Sequence, residues 1–415
     1  MATAVEEKVE LERLLETLAM LVEVESPTGE EGGLGLALRR RLEAEEFEVD
    51  LQEFEENRYN VLAWLGSKYR RPIFMLNGHL DVSYGPLERQ KWPEGKGHRP
   101  RLEVCDGWVW GLGVRNMKGA LACYIEAARA VREVIADLPG SICLAFVGGE
   151  IERHQVGDYR GKAFRGGGAG ARWLVTHGGV ADGAIIGEPT GLRLVPEHVG
   201  SVAARYEVRG LPAPLREVEA GIDAIELGAV LLEVVRGAAR EVRERREYRG
   251  VRGMMHVGAV EGGWPWRCNR VAGHFACSVE YRILPGESLT DAVDMLGRIR
   301  DEAERRLGRR VEVEIYASNP AAEKSEGVER VAEAVRRAHR ALAGCECEEV
   351  VGTFTSDAIH LSRYGIPVVN YGPGDWGGRR GGEEGEAVRL EELELCARVY
   401  ARAALEFMGN GYYGY

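Results

Sequence analysis

The order in which short apolar runs and helical runs alternate restricts this chain more than any other feature. NVLAWLG (60–66), PIFMLNGHLDV (72–82), SICLAFV (141–147) and GAIIGEP (183–189) are short, apolar and strand-like. MKGALACYIEAARAVREVI (117–135) and GAGARWLVTHG (168–178) have helical spacing, as do Leu11, Leu14, Leu15, Leu18, Leu21 and Val22 ahead of the Ser26-Pro27 break. Apolar strands alternating with helices predict an α/β sheet covered on both faces. From about residue 200 the rhythm changes. SVAARYEVRG, AIELGAVLLEVVRGAAREV, MMHVGAVEGG, GHFACSVEYRIL, TDAVDMLGRIRDEAERRLG and RVEVEIYA follow one another as β-α-β-β-α-β, the ferredoxin-like order. After SNPAAEKSEG the α/β alternation resumes, ending in the helix RLEELELCARVYARAALEFM. The expected organisation is a discontinuous α/β domain, 1–199 and 318–415, interrupted by an α+β domain at 200–317. A length of 415 residues suits two cores rather than one.

The formal charge of −12 argues against broad binding to nucleic acid or to anionic membrane, both of which need basic faces. The first residues lack a basic start followed by an apolar run, and no stretch reaches the roughly 18 uninterrupted apolar residues of a membrane span. The expected location is therefore cytoplasmic. The eight cysteines form no CxxC pair, so reduced and mostly buried thiols are expected, with a Cys268–Cys277 disulfide left open.

The chemistry-bearing run is LNGHLDV. At a strand end, His79 and Asp81 project to the same side. A histidine metal ligand commonly donates its other ring N–H to a carboxylate, which fixes its tautomer, and His-x-Asp supplies that pair. By itself the run is equally compatible with an ordinary surface turn.

Further pieces follow in order: GLGVRNMKGA (111–120), VGGEIE (147–152), IIGEPTG (185–191) and TSDAIHLSRYGIPVVNYGPG (355–374), with SPTGEE (26–31) before them and VEYRILPGE (279–287) in the insert. Together they resemble the co-catalytic zinc peptidase and amidase family of acetylornithine deacetylase, succinyl-diaminopimelate desuccinylase, aminoacylase and carboxypeptidase G. The resemblance covers nearly the whole chain. It implies a zinc-peptidase-like core with a ferredoxin-like lid, two zinc ions sharing a bridging carboxylate and water, and a glutamate general base. On it, His79 matches a zinc ligand, Asp81 its orienting partner, Glu188 the acidic ligand of the same metal and Glu150 the base.

Four positions depart from the family pattern. Asn116 stands where the bridging aspartate belongs, and a neutral amide is poorly suited to bridging two dications. Ile151 replaces a ligand of the second metal, and Gly382 aligns with that metal's histidine. Pro214 stands where the lid histidine should stabilise an oxyanion, and proline has no side-chain donor. A two-zinc site is therefore not expected, and the cofactor is none or one zinc per chain. Arg115, Arg379 and Arg380 are candidates for filling the lost cation space beside Glu150, Asp81 or Glu188, although GGRRGGEEGE also reads as a solvated loop. His360 could reach inward from its helix or be a packed structural residue. His198 is expected at the domain crossover and His98 in an exposed loop. The tail GNGYYGY is either a frayed end or an aromatic anchor for self-association.

Three functions remain open. The chain is a fold whose hydrolysis is weak or absent and which is kept for assembly, a single-metal deacylase or dipeptidase acting on a small N-acyl amino acid or peptide, or a ligand-binding protein using the cleft.

Overall fold

A computed structural model of the chain describes residues 4–85, 88, 95–134, 138–376 and 385–409. It divides into two compact units, one made of residues 1–196, 324–350 and 356–415, the other of 197–323 and 351–355. The short segment Val351–Thr355, placed with the larger domain by sequence, groups with the smaller unit. There its backbone is tied by the bond from the Val199 N–H to the Gly352 carbonyl.

The larger unit is built on an eight-stranded sheet. In chain order its strands are β1 (Glu48–Glu55), β2 (Arg58–Leu65), β3 (Ile73–His79), β4 (Ser141–Val147), β5 (Gly183–Ile186), β6 (Leu194–His198), β7 (Glu349–Gly352) and β8 (Val368–Asn370). Their spatial order is β1-β2-β4-β3-β5-β8-β6-β7. The central run β4-β3-β5-β8 is parallel. Every residue of β3 and β4 is buried, as expected of strands covered on both faces.

The helix Gly119–Val134, which carries the chain from β3 towards β4, is buried along its length from Gly119 to Val131. It packs close to β3. A Cβ added to Gly78 would lie 2.5 Å from Met117 Cε and 2.6 Å from Leu121 Cδ2, so this strand residue must be small. Its other flank is closed by a buried ionic network, in which Glu126 accepts from Arg13 and Arg129, and Arg129 also donates to Thr17.

The smaller unit has antiparallel strands in the order Met254–Gly262, His274–Ile283, Gly200–Arg209, Val311–Asn319. With the helices Ala224–Arg245 and Leu289–Leu307 this is the ferredoxin-like β-α-β-β-α-β arrangement. Both helix starts are capped by side chains. Asp223 accepts from the Ile225 N–H, and Ser288 and Asp291 form a capping box. Pro214 lies in this unit, ahead of a short 3-10 turn (Leu215–Ala220) and bridged to Arg270. All eight cysteines are free: Cys277 is buried in a central strand and Cys268 is exposed. No described helix is long and apolar enough to cross a membrane.

Candidate metal centre

In parallel sheets, ligands collect beyond the carboxyl ends of the strands, and three acid-base residues sit there. His79 is the last residue of β3, Glu150 lies three residues past β4 and Glu188 two past β5. These strands are neighbours in the sheet, so their loops bring the three side chains together. One ligand atom from each lies within 4.8 Å of the others, and this is the one such cluster of three metal-type ligands among the described residues.

Hydrogen bonding fixes the histidine's orientation. Its Nδ1 lies 2.8 Å from the backbone carbonyl of Asp81, which can only accept, so Nδ1 carries a hydrogen. Nε2 then faces three oxygens: Asn116 Oδ1 at 3.0 Å, Glu150 Oε2 at 3.7 Å and Glu188 Oε1 at 3.9 Å. That ring position is compatible with its surroundings only as a protonated N–H or as a lone pair on a cation. Electrostatics agree. Burial would depress the imidazole's pKa, but the carboxylates of Glu188, Asp81 and Asp357 overcome it and raise it. Glu188 is pushed well above the carboxylate range, by burial first and then by the charge of Glu150, with His79 opposing. Its Oε1 has no hydrogen-bond partner, although it is buried.

The carboxylate of Asp81 does not do what the sequence suggests. It stays 3.7 Å from Nδ1 and instead accepts from the backbone N–H of Glu150 (3.0 Å), the N–H of Ile151 (3.1 Å) and the hydroxyl of Thr28 (2.8 Å). The chain turns so sharply after His79 that the nearer acceptor is the main-chain oxygen. Asp81 therefore organises the loop that presents Glu150, and the SPTGEE motif serves the same loop. Beside Thr28, Glu31 makes a bidentate pair with the fully buried Arg58 (2.7 and 3.0 Å), whose Nη1 also holds the Arg165 carbonyl.

Asn116 lies in the turn Val114–Lys118 ahead of the helix, with its amide oxygen towards His79. Ile151 joins the loop through its backbone, and its side chain offers no ligand. Arg115 does not fill the cation space. Its guanidinium lies over Trp376, 5.2 Å from the ring centroid, and it makes no ion pair with Glu150, Asp81 or Glu188. The cause is Glu386, a fully buried carboxylate that accepts from the backbone N–H groups of Arg115 (3.2 Å) and Asn116 (3.0 Å) and feels the Arg115 charge. Glu386 organises the Asn116 turn and was missed in the sequence, where it looked like one of several acids in a glycine-rich loop. Arg379, Arg380, Gly382 and the tyrosine tail lie outside the described residues.

Three further histidines singled out in the sequence, His98, His198 and His360, are packed into the fold. His98 is buried rather than exposed, because residues 97 and 385 pair as a bridge that sets Gly385 against its ring; Tyr84 packs edge-on to that ring at 5.5 Å. His198 is buried at the chain crossover, with Nδ1 2.8 Å from the Val199 carbonyl. His360 is buried against Gly168, whose left-handed φ of +82° and missing side chain admit the ring. Beside it Asp357, also buried, is raised to about 7 by burial and the charge of Asp81, with His79 and Arg172 opposing.

A parallel α/β sheet with a histidine–carboxylate cluster at its carboxyl edge and a ferredoxin-like insert defines the class of metallopeptidase-like hydrolase folds. Comparisons with known proteins specify it. The chain belongs to peptidase family M20/M25/M40, whose model matches residues 75–406. It is 29% identical over 380 residues to an acetylornithine deacetylase of Myxococcus xanthus, covering 89% of this chain and 90% of that one. It is 31% identical over 204 residues to a succinyl-diaminopimelate desuccinylase of Cereibacter sphaeroides, covering 46% and 48% of the two chains. Among solved structures, a tripeptidase of Staphylococcus aureus superposes with a TM-score of 0.74 at 19% identity, over 97% of this chain and all of that one, a likeness of fold.

Proposed function

We propose that this chain is a hydrolase of small N-acyl amino acids or peptides that works with a single divalent cation, at reduced capacity. The observation that carries the reading is the convergence of Asn116 Oδ1, Glu150 Oε2 and Glu188 Oε1 on the Nε2 of His79, whose other nitrogen is committed to the Asp81 carbonyl. This donor set, with the orphaned Glu188 oxygen, fits one divalent ion. The family resemblance supports one ion rather than two: it aligns the bridging position with the neutral Asn116, and Ile151 has no donor atom.

A bound cation supplies Lewis-acid polarisation of a substrate carbonyl. His79, Glu188 and Asn116 would hold it. Glu150 takes a proton from the attacking water and returns it to the leaving amine. Asp81, through two backbone N–H groups, keeps Glu150 in place for both transfers. The substrate class rests on the deacylase and desuccinylase relatives.

A second reading, a silent relative kept for assembly, is favoured by the coincident changes at Asn116, Ile151, Gly382 and Pro214. Elemental analysis after dialysis against trace zinc separates the two. About one equivalent per chain, lost in Glu188→Gln and His79→Ala, together with release of amine from an N-acetyl amino acid that Glu150→Gln abolishes, supports the hydrolase. Metal no higher than in the variants removes it.

A further inference from the structure

Away from this centre, the helix Val328–Ala343, the turn that follows it and the residue after β8 bring a histidine, a cysteine and a tyrosine together in series. The Sγ of Cys345 lies 3.7 Å from the Nε2 of His339, and the Nδ1 of the same ring lies 2.8 Å from the hydroxyl of Tyr371. Tyr371 and His339 are buried, while Cys345 is exposed.

The tautomer follows from counting donors. The buried Tyr371 hydroxyl has His339 Nδ1 as its one hydrogen-bond partner among the described residues, so it donates there. The imidazole hydrogen is thereby placed on Nε2, pointing at the Cys345 sulfur. Burial lowers the pKa of His339, with the Glu346 charge opposing, which keeps the ring neutral and leaves this arrangement standing. Glu346, the acid next to the thiol, is itself paired to Arg340 at 2.6 Å. Two residues on, Cys347 provides a built-in contrast. It is buried, its thiol lies 3.7 Å from the Leu192 carbonyl, and burial pushes its pKa up to about 11.

We propose that Cys345 is a modification site, a surface thiol selectively S-thiolated by low-molecular-weight disulfides, with the His339 Nε2–H holding the negative charge on sulfur and Tyr371 holding His339. The thiol gives its proton to solvent, and the thiolate attacks one sulfur of the small disulfide. A Cys345–S–S–R bond forms, the original S–S bond breaks, and RS⁻ leaves and takes up a proton; the small disulfide is the oxidant and no other reagent is needed. The thiolate is the reacting form, so a donor aimed at sulfur accelerates the attack.

The test is incubation of the intact chain with oxidised glutathione, with the modified peptides counted by mass spectrometry over time. Cys268, exposed in the smaller unit, is the internal standard. Cys345 is expected to react about 5-fold faster than Cys268 and Cys347 not measurably, with Tyr371→Phe and His339→Phe bringing Cys345 towards the Cys268 rate. Circular dichroism checks that each variant is folded, and Tyr371→Phe, which removes a single oxygen, decides the matter if His339→Phe is not. A Cys345 rate equal to that of Cys268 in the native chain overturns the proposal, as does a fast rate unchanged in the folded Tyr371→Phe protein.

Discussion

The carboxylate of Asp81 holds the backbone N–H of Glu150 at 3.0 Å and that of Ile151 at 3.1 Å, with the Thr28 hydroxyl closing the set at 2.8 Å. The four residues come from three separate segments, with Glu150 and Ile151 on one loop, Asp81 on a second and Thr28 in the turn after the first helix, so this carboxylate is where they are registered. Thr28→Val, which keeps the shape and removes the donor, is expected to cost about 1 kcal/mol. Thr28→Ser should cost much less. Asp81→Asn turns one acceptor into a donor against backbone N–H groups and is expected to cost about 2–3 kcal/mol. Urea unfolding measures all three, and a Thr28→Val protein as stable as wild type would show that the hydroxyl does not register the loop.

Behind the same loop, Arg58 and Glu31 are both without solvent exposure and hydrogen-bonded on two atoms each. Arg58 also pairs with Glu55 at 2.8 Å, so Glu31→Gln leaves the arginine one partner and is expected to cost about 1–3 kcal/mol, whereas Arg58→Met strands the buried Glu31 carboxylate and is expected to lose about 3–5 kcal/mol. The double variant should recover part of this, since it strands no charge. A double-mutant cycle that is strictly additive would contradict the coupling.

Much of this architecture was legible in the sequence because its cause is local. Continuous apolar runs such as Ile142–Val147 make buried parallel strands, and LNGHLDV placed His79 at a strand end. What stayed hidden depends on contacts far apart in the chain. Glu386 acts on Arg115 and Asn116 some 270 positions away, which no spacing rule reaches. His98 looked like a loop residue because the bridge between Gly97 and Gly385 that buries it is equally remote. The His-x-Asp spacing points to the Asp81 carboxylate as the neighbour of His79 Nδ1, whereas the atom that lies there is the Asp81 backbone oxygen, a choice of acceptor that spacing does not encode. The helix Gly32–Ala44 is hard to read for a different reason: Gly32, Gly33 and Gly35 at its start are poor helix formers and carry no apolar pattern.

His360 gives the fold an acid limit. Burial, followed by the charge of Arg172, lowers its pKa from 6.5 to about 4, with the Gly167 backbone bond opposing and the Arg363 charge adding to the fall. The folded state therefore binds fewer protons than the unfolded one between those values. Stability from this group is complete above about pH 6.5 and falls as pH drops towards 4, by about 3 kcal/mol in all. Subtracting the unfolding free energies of wild type and His360→Phe across that range isolates it from the other titrating groups. A pH-independent difference would mean that the ring is not the buried neutral base described.

The last prediction concerns Asn116, whose oxygen lies nearest of the three to the free ring nitrogen of His79. Asn116 Oδ1 is 3.0 Å from the Nε2 of His79, so Asn116→Asp changes charge at the centre while barely changing shape. Without metal, a third carboxylate is added beside Glu150 and Glu188, and like charges make the folded state less stable. With a divalent cation the same charge becomes a ligand, and affinity should rise about 10-fold, or about 1.4 kcal/mol. The two effects have opposite signs, which makes them separable. Thermal unfolding of the variant is expected to begin at a lower temperature than wild type in chelator and to show a larger upward shift on adding zinc or manganese. The larger shift should vanish when Glu188→Gln is combined with Asn116→Asp, because the ion needs both. Equal metal-induced shifts in wild type and Asn116→Asp would mean that the amide does not face the cation, and that the centre is held by His79 and the glutamates alone.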